Sequence, residues 1–135
     1  MNGYEWLSAT LKALGHPIRL EILAILLREG EACVCHLEGL LGRPQAYISQ
    51  HLARLREAGL VVDRRDGMNV FYAVADESLA TFLDGARGMA ETFARSGGMA
   101  VGFPRLPHSD PEKCPCPKCR GRIAEPEAEG ASTKG

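Results

Sequence analysis

The sequence predicts a mainly α-helical domain carrying one β-hairpin. Three observations lead there. Apolar residues recur at helical spacing in successive stretches between Trp6 and Phe93. One stretch, "LVVDRRDGMNVFYAVA", breaks that period and holds an Asp-Gly pair between two β-rich runs. Leu and Ala are abundant and aromatics make up only 6% of the chain, which favours helix.

Trp6, Leu7, Thr10, Leu11 and Leu14 set the period of a first helix over Tyr4–Leu14, ended by Gly15. Pro17 suits the first turn of the next helix, with His16 before it. Ile18, Ile22, Leu23, Ile25, Leu26 and Leu27 are too many for one narrow stripe. This second helix is therefore expected to be central and buried, with Gly30 as its stop. A short third helix is expected from about Cys33 to Leu41, closed by Gly42. In "RPQAYISQHLARLREAGL" Ile48, Leu52 and Leu55 form the buried stripe of a fourth helix, ended by Gly59. Gln45, Ser49, Gln50, Ala53 and Arg54 point elsewhere.

Val61 and Val62 then begin one strand, and Val70 to Val74 make a second, with "RRDGMN" as the turn. "DESLATFLDGARGMAETFAR" reads as a fifth helix that Asp76 can cap, with Leu79, Phe82, Leu83, Ala86, Ala90 and Phe93 on its apolar face. After Gly97 the composition shifts to Gly, Pro and charge. The expected organisation is one domain over 1–96, long enough for a core, and a flexible tail over 97–135 with a cysteine cluster.

No apolar run reaches a membrane-spanning length, and no signal segment follows Met1. The expectation is a cytoplasmic protein with no membrane partner, whose thiols stay reduced. Five cysteines, an odd number in tight clusters, then argue for metal or redox chemistry over a disulfide framework. Net charge is −1, but the stretch from Arg43 to Arg65 carries five arginines against Glu57 and Asp63. A local basic face on a near-neutral chain is compatible with DNA. "CPKC" lacks the strand-to-helix context of a thioredoxin-like motif, and no nucleophile–base set is evident, so the chain is not read as an enzyme.

Two short helices joined by a tight turn, the second polar on its outer face, followed by an arginine-bearing hairpin, make a winged helix-turn-helix. Amide and guanidinium groups on such a helix can pair with base edges in the major groove. Hairpin arginines can reach phosphate or a narrow minor groove. The candidate DNA-contacting residues are Gln45, Tyr47, Ser49, Gln50, Arg54, Arg64 and Arg65. His16 and His51 are read as structural or DNA-proximal.

"LGHPIRLEILAILL", "YISQHLARLREAGLV" and "RRDGMNVFYAV" resemble the ArsR/SmtB family of small bacterial repressors, from about Leu7 to Phe93. The resemblance implies a homodimer joined through the first and last helices. It also implies operator DNA as partner and an inducer that weakens DNA binding. The family usually has Ser or Thr as cap of the reading helix, where this chain has Pro44. Its third helix usually opens with a Ser or Thr cap and a Glu three positions later. Here Cys33 stands at the cap and His36 at the third helical position.

A thiol caps poorly, so a ligand would compensate. Free N–H groups at a helix start favour thiolate, the metal-binding form. Inside a helix, residues i and i+2 point about 200° apart. At a cap the dihedrals are not helical, so Cys33 and Cys35 can converge there. The "CVC" stretch resembles the arsenic-, cadmium- and lead-sensing branch of the family, in which two such cysteines share a soft ion with further thiols. Cys114, Cys116 and Cys119 of "CPCPKC" are the available partners, with His36 or His108 as substitutes. An all-thiolate set selects Cd(II), Pb(II), As(III) or Zn(II). The last helix has no histidine, against the family's Asp/His site there. Two alternatives stay open: a redox- or sulfide-responsive thiol repressor, and a separate zinc knuckle in the tail.

Overall fold

The computed structural model describes residues 2–107. The element order is α1 (Gly3–Leu14), α2 (Pro17–Glu29), β1 (Ala32–Cys33), α3 (Val34–Leu41), α4 (Gln45–Glu57), β2 (Val61–Asp66), β3 (Asn69–Val74) and α5 (Ser78–Ser96). This is the winged helix-turn-helix arrangement: α3 and α4 form the two-helix unit, and β2 and β3 form the wing.

Local chemistry sets the helix starts. Asn2 and Glu5 form a reciprocal capping box on α1. The His16 ring accepts from the Ile18 amide at 3.3 Å, and Pro17 opens α2. Asp76 accepts from the Ser78 amide at 2.8 Å at the start of α5. That bond depresses the Asp76 pKa. Pro44 offers no side-chain cap; α4 starts from its carbonyl, which accepts from Tyr47 and Ile48 at 3.1 Å each.

The core is built around α2. Ile22, Leu23, Ile25 and Leu26 are fully buried, and Ile48, Leu52 and Leu55 of α4 meet them with Leu37 of α3. The packing of α4 on α2, with α3 against α4, fixes the angle at which α4 is presented. The outer helices differ. Trp6, Leu7 and Leu11 of α1 and Phe82, Met89 and Phe93 of α5 are exposed within the protomer, Trp6 by 63% and Phe93 by 67%. More than half of each expected apolar stripe is thus left uncovered among the described residues.

Two features depart from the sequence expectation. The hairpin strands run through Asp66 and start again at Asn69, so the turn is Gly67-Met68 and Arg64 and Arg65 lie within β2. A projecting wing is held by its ladder, not by burial, so polar residues there do not end the strand. Gly67 takes φ +63°, a left-handed conformation costly for other residues. The second departure is β1, a two-residue strand that pairs Ala32 with Tyr72 and Cys33 with Phe71, giving the sheet order β1-β3-β2.

The expected tail over 97–135 is described only as far as Pro107. Leu106 packs against the core, and Arg28 donates to the carbonyls of Leu106 and Pro107 at 2.8 Å each. Residues 103–106 close one side of an apolar cleft of about 220 Å³ between α2 and α5.

Candidate DNA-reading surface and thiol site

Helix α4 buries Ile48, Leu52 and Leu55 against α2, and this turns the opposite face outward. Gln45, Gln50 and Arg54 are exposed on it, while Tyr47 and Ser49 are half-buried. Gln50 and Arg54 are four residues apart, one turn, and form the centre of the polar face. Arg54 makes an exposed ion pair with Glu57 at 3.3 Å. The Tyr47 ring stands edge-on to His51, with the Arg43 guanidinium 5.4 Å from its centroid.

His51 is buried behind this face. Arg19 Nε donates to its Nδ1 at 3.0 Å, and the same guanidinium donates to the Ala13 carbonyl at 3.0 Å. The His16 ring lies 4.4 Å from it. Desolvation, then His16 and Arg19, hold the His51 pKa below its ordinary 6.5. The cluster ties the α1–α2 corner to α4.

The wing splits its two arginines. Strand alternation puts Arg64 and Arg65 on opposite faces. Arg65 is exposed. Arg64 sits opposite Phe71 in the ladder, 4.9 Å above its ring, and pairs with Glu31 at 2.5 Å and Asp66 at 3.8 Å. Glu31 is 33 residues away in sequence, and nothing local announces that partnership.

The thiol site lies at the start of α3. Cys33 is the N-cap, in extended conformation with φ −86° and ψ 168°, and makes no side-chain cap bond. Its pairing with Phe71 holds that conformation. The Cys33 and Cys35 sulfurs come to 2.8 Å, longer than a disulfide bond of about 2.05 Å. Cys33, Cys35 and Phe71 share one small apolar cluster. Convergence at i and i+2 is what a cap permits and a regular helix forbids. Cys33 is the cap the sequence suggests, and the helix itself runs Val34–Leu41.

His36 is 3% exposed, and its Nε2 lies 2.6 Å from Glu29 Oε1. Burial alone would raise the Glu29 pKa; hydrogen bonds from Arg28 and His36 outweigh it and hold the carboxyl below 4.5. With Glu29 ionised, His36 Nε2 is the donor in this pair. Arg28 donates to Glu29 at 2.8 Å. Nothing local in the sequence marks the long-range partners of Arg28 and Glu29, which are carbonyls 78 and 79 residues from Arg28 and a histidine seven residues from Glu29.

Among the described residues, no group of three or more His, Cys, Asp or Glu side chains is placed to hold an ion. Cys114, Cys116, Cys119 and His108 lie outside the described residues. Also among the described residues, no helix is long and apolar enough to cross a membrane.

Residues 16–62, from the cap of α2 to the start of β2, match the model of the bacterial regulatory protein, arsR family. An uncharacterised helix-turn-helix transcriptional regulator of Methanocaldococcus jannaschii is 42% identical over 77 residues, covering 57% of this chain and 86% of the relative. The chain belongs to the ArsR family. ArsR-family proteins are DNA-binding transcriptional regulators, and this chain is a regulator of the ArsR/SmtB repressor type, not an enzyme. The arsenic resistance transcriptional regulator ArsR1 of Pseudomonas putida is 46% identical over 66 residues, 49% of this chain and 52% of that protein. The homodimeric winged helix-turn-helix domain of Mb0332 from Mycobacterium bovis superposes with a TM-score of 0.61 at 29% identity, covering 68% of this chain and 85% of that one.

Proposed function

We propose that this ArsR-family chain is a metal-responsive repressor. It binds operator DNA as a homodimer and is released when a thiophilic ion occupies Cys33 and Cys35 together with tail cysteines. The carrying observation is the convergence of the two sulfurs, 2.8 Å apart, at an uncapped helix start. Such a start sets the positive end of the helix dipole beside the sulfurs, which favours thiolate. Helix α3 packs on α4, so a ligand that redirects the first turn of α3 acts on the reading helix.

Gln50 and Arg54 carry base contacts in this reading, flanked by Gln45, Ser49 and Tyr47. Arg65 reaches the phosphate backbone from the wing. Arg64, held by Glu31, contributes there only on leaving that pair. Dimerisation through α1 and α5 is supported by their exposed Trp6, Leu7, Phe82, Met89 and Phe93 and by the homodimeric state of the similar Mycobacterium bovis domain. The donor set is completed from Cys114, Cys116 and Cys119: three thiolates suit As(III) or Pb(II), four suit Cd(II) or Zn(II).

The test is release of operator DNA, selected by the protein from a random duplex pool, on titration with each of the four ions. An affinity that no ion alters sinks the reading. So does a Cys33→Ser/Cys35→Ser variant that still responds. The same close pair of sulfurs favours a second reading, in which peroxide takes two electrons and two protons from the thiols and a disulfide forms. Reductant-reversible loss of DNA binding in metal-free protein would select it.

A further inference from the structure

We propose that Glu31 is an intramolecular competitor of DNA phosphate. Its carboxylate engages the guanidinium of Arg64 and withholds that arginine from duplex until the pair is broken. The proposal rests on the reading of the wing as a phosphate-contacting element, and it adds a brake that the chain carries against its own binding.

The sheet brings together two residues 33 positions apart. Strand β3 lies between β1 and β2. Cys33 stands opposite Phe71, and Phe71 opposite Arg64, so these three side chains share one face. Glu31 comes just before β1, two residues from Cys33 and in the same alternation. Arg64 is on the far side of β3, two strand spacings or about 10 Å away. A short side chain could not cross that gap. The arginine does so by laying its guanidinium over the intervening Phe71 ring, 4.9 Å from the centroid. There Nη2 donates to Glu31 Oε1 at 2.5 Å and Nε donates to Oε2 at 3.3 Å. The Nη1 end faces Asp66 at 3.8 Å.

This pair differs from a loose surface contact. The guanidinium fork meets both carboxylate oxygens, which is the geometry arginine also uses on phosphate. One edge of the fork cannot serve both at once. The Glu31 side chain is 28% exposed, against 57% for Asp66, so the main acid partner is the more enclosed of the two. Stacking on Phe71 holds the guanidinium in place for it. Arg65 points to the other face and is exposed. The wing therefore carries one arginine open to phosphate and one already matched to an acid. Non-specific duplex binding draws on phosphate contacts, so that is where an engaged arginine is missed.

The experiment uses the full chain and a random-sequence duplex, with anisotropy titrations from about 50 to 200 mM salt. Glu31→Gln keeps the side-chain shape and removes its charge. Affinity should rise about 2- to 5-fold, the scale on which exposed ion pairs act. The slope of log affinity against log salt should steepen by about 1, for one phosphate gained. In an Arg64→Ala background the same substitution should change neither quantity. A Glu31→Gln chain that binds as the native one does, or more weakly, overturns the proposal. So does a gain that survives in Arg64→Ala, because it then reflects a general loss of negative charge. Arg65→Ala separates these failures from failure of the wing reading. If Arg65→Ala lowers the slope while Glu31→Gln gains nothing, the wing touches phosphate and only the brake is lost. If Arg65→Ala leaves the slope unaltered, and Arg64→Ala does so in the Glu31→Gln background, the wing reading and the brake fall together.

Discussion

Replacing Cys33 by serine and by alanine separates capping, packing and ion binding at one position. Cys33 is 3% exposed and stands at the cap of α3 without a side-chain capping bond. At an ordinary buried site alanine would be the milder change, because a buried hydroxyl without a partner costs about 1–3 kcal/mol. At this site serine gains an acceptor bond from the amide of Cys35 or His36, the second and third helical residues. A Ser cap is worth about 1 kcal/mol over Ala. Both variants lose the sulfur's burial, about 1 kcal/mol for an apolar area on the order of 40 Å². Cys33→Ser should therefore match the native protein to within about 1 kcal/mol, and Cys33→Ala should fall about 1 kcal/mol below Cys33→Ser. For a domain of this size that gap corresponds to about 4–8 °C in melting temperature. The measurement is thermal unfolding with chelator and reductant present, at matched protein concentration. Operator release by Cd(II) is followed in parallel and should be lost in both variants. An alanine variant more stable than the serine variant would refute the cap argument, and a serine variant that keeps its response would refute the ion site.

Further outcomes follow from the same geometry. Gln50→Ala and Arg54→Ala should each weaken operator binding by about 1–3 kcal/mol in an anisotropy titration and relax base preference. Arg65→Ala should weaken all duplexes alike and reduce the slope of log affinity against log salt by about 1. Because the folded-state pKa of His51 lies below 6.5, the unfolded chain binds protons first on acidification. The His51 contribution is whole above about pH 6.5 and is lost as pH falls through and below that value. A His51→Asn variant should show a shallower loss in urea unfolding between pH 7 and 5. Phe93→Glu on the exposed face of α5 should yield monomers by light scattering while retaining helical circular dichroism.

The parts of the fold readable from sequence are those that burial dictates. The stripe of Ile48, Leu52 and Leu55 and the all-round apolar α2 announce themselves because a 3.6-residue period leaves them no alternative. The wing was harder to bound. Its inner half obeys hydrophobic alternation, but Asp63 to Asp66 are strand only because β3 supplies ladder partners. Strand β1 has two residues, too few for any period, yet it holds the Cys33 backbone in place. At the site, convergence of Cys33 and Cys35 was legible because a cap frees the dihedrals that a helix fixes. The clasp of Arg28 on residues 106 and 107 was not, since it engages backbone carbonyls 78 and 79 residues away, which carry no side-chain signature.

The placement of the thiols also bears on how a small ion could govern a much larger interface. Cys33 and Cys35, the proposed ligands, sit at the cap and in the first turn of an eight-residue helix. A short helix contributes little stability of its own, so its position is set by tertiary packing and by its ends. One face of that packing is α4 and another is the sheet row Cys33–Phe71–Arg64, which continues into the wing. A shift of the α3 start would therefore be felt at both proposed DNA-contacting elements, α4 and the wing. The free energy needed is modest. A coupling of about 1–3 kcal/mol changes operator affinity by roughly 5- to 150-fold. A soft ion bound by several thiolates exceeds that differential if even one donor is correctly placed in only the released conformation.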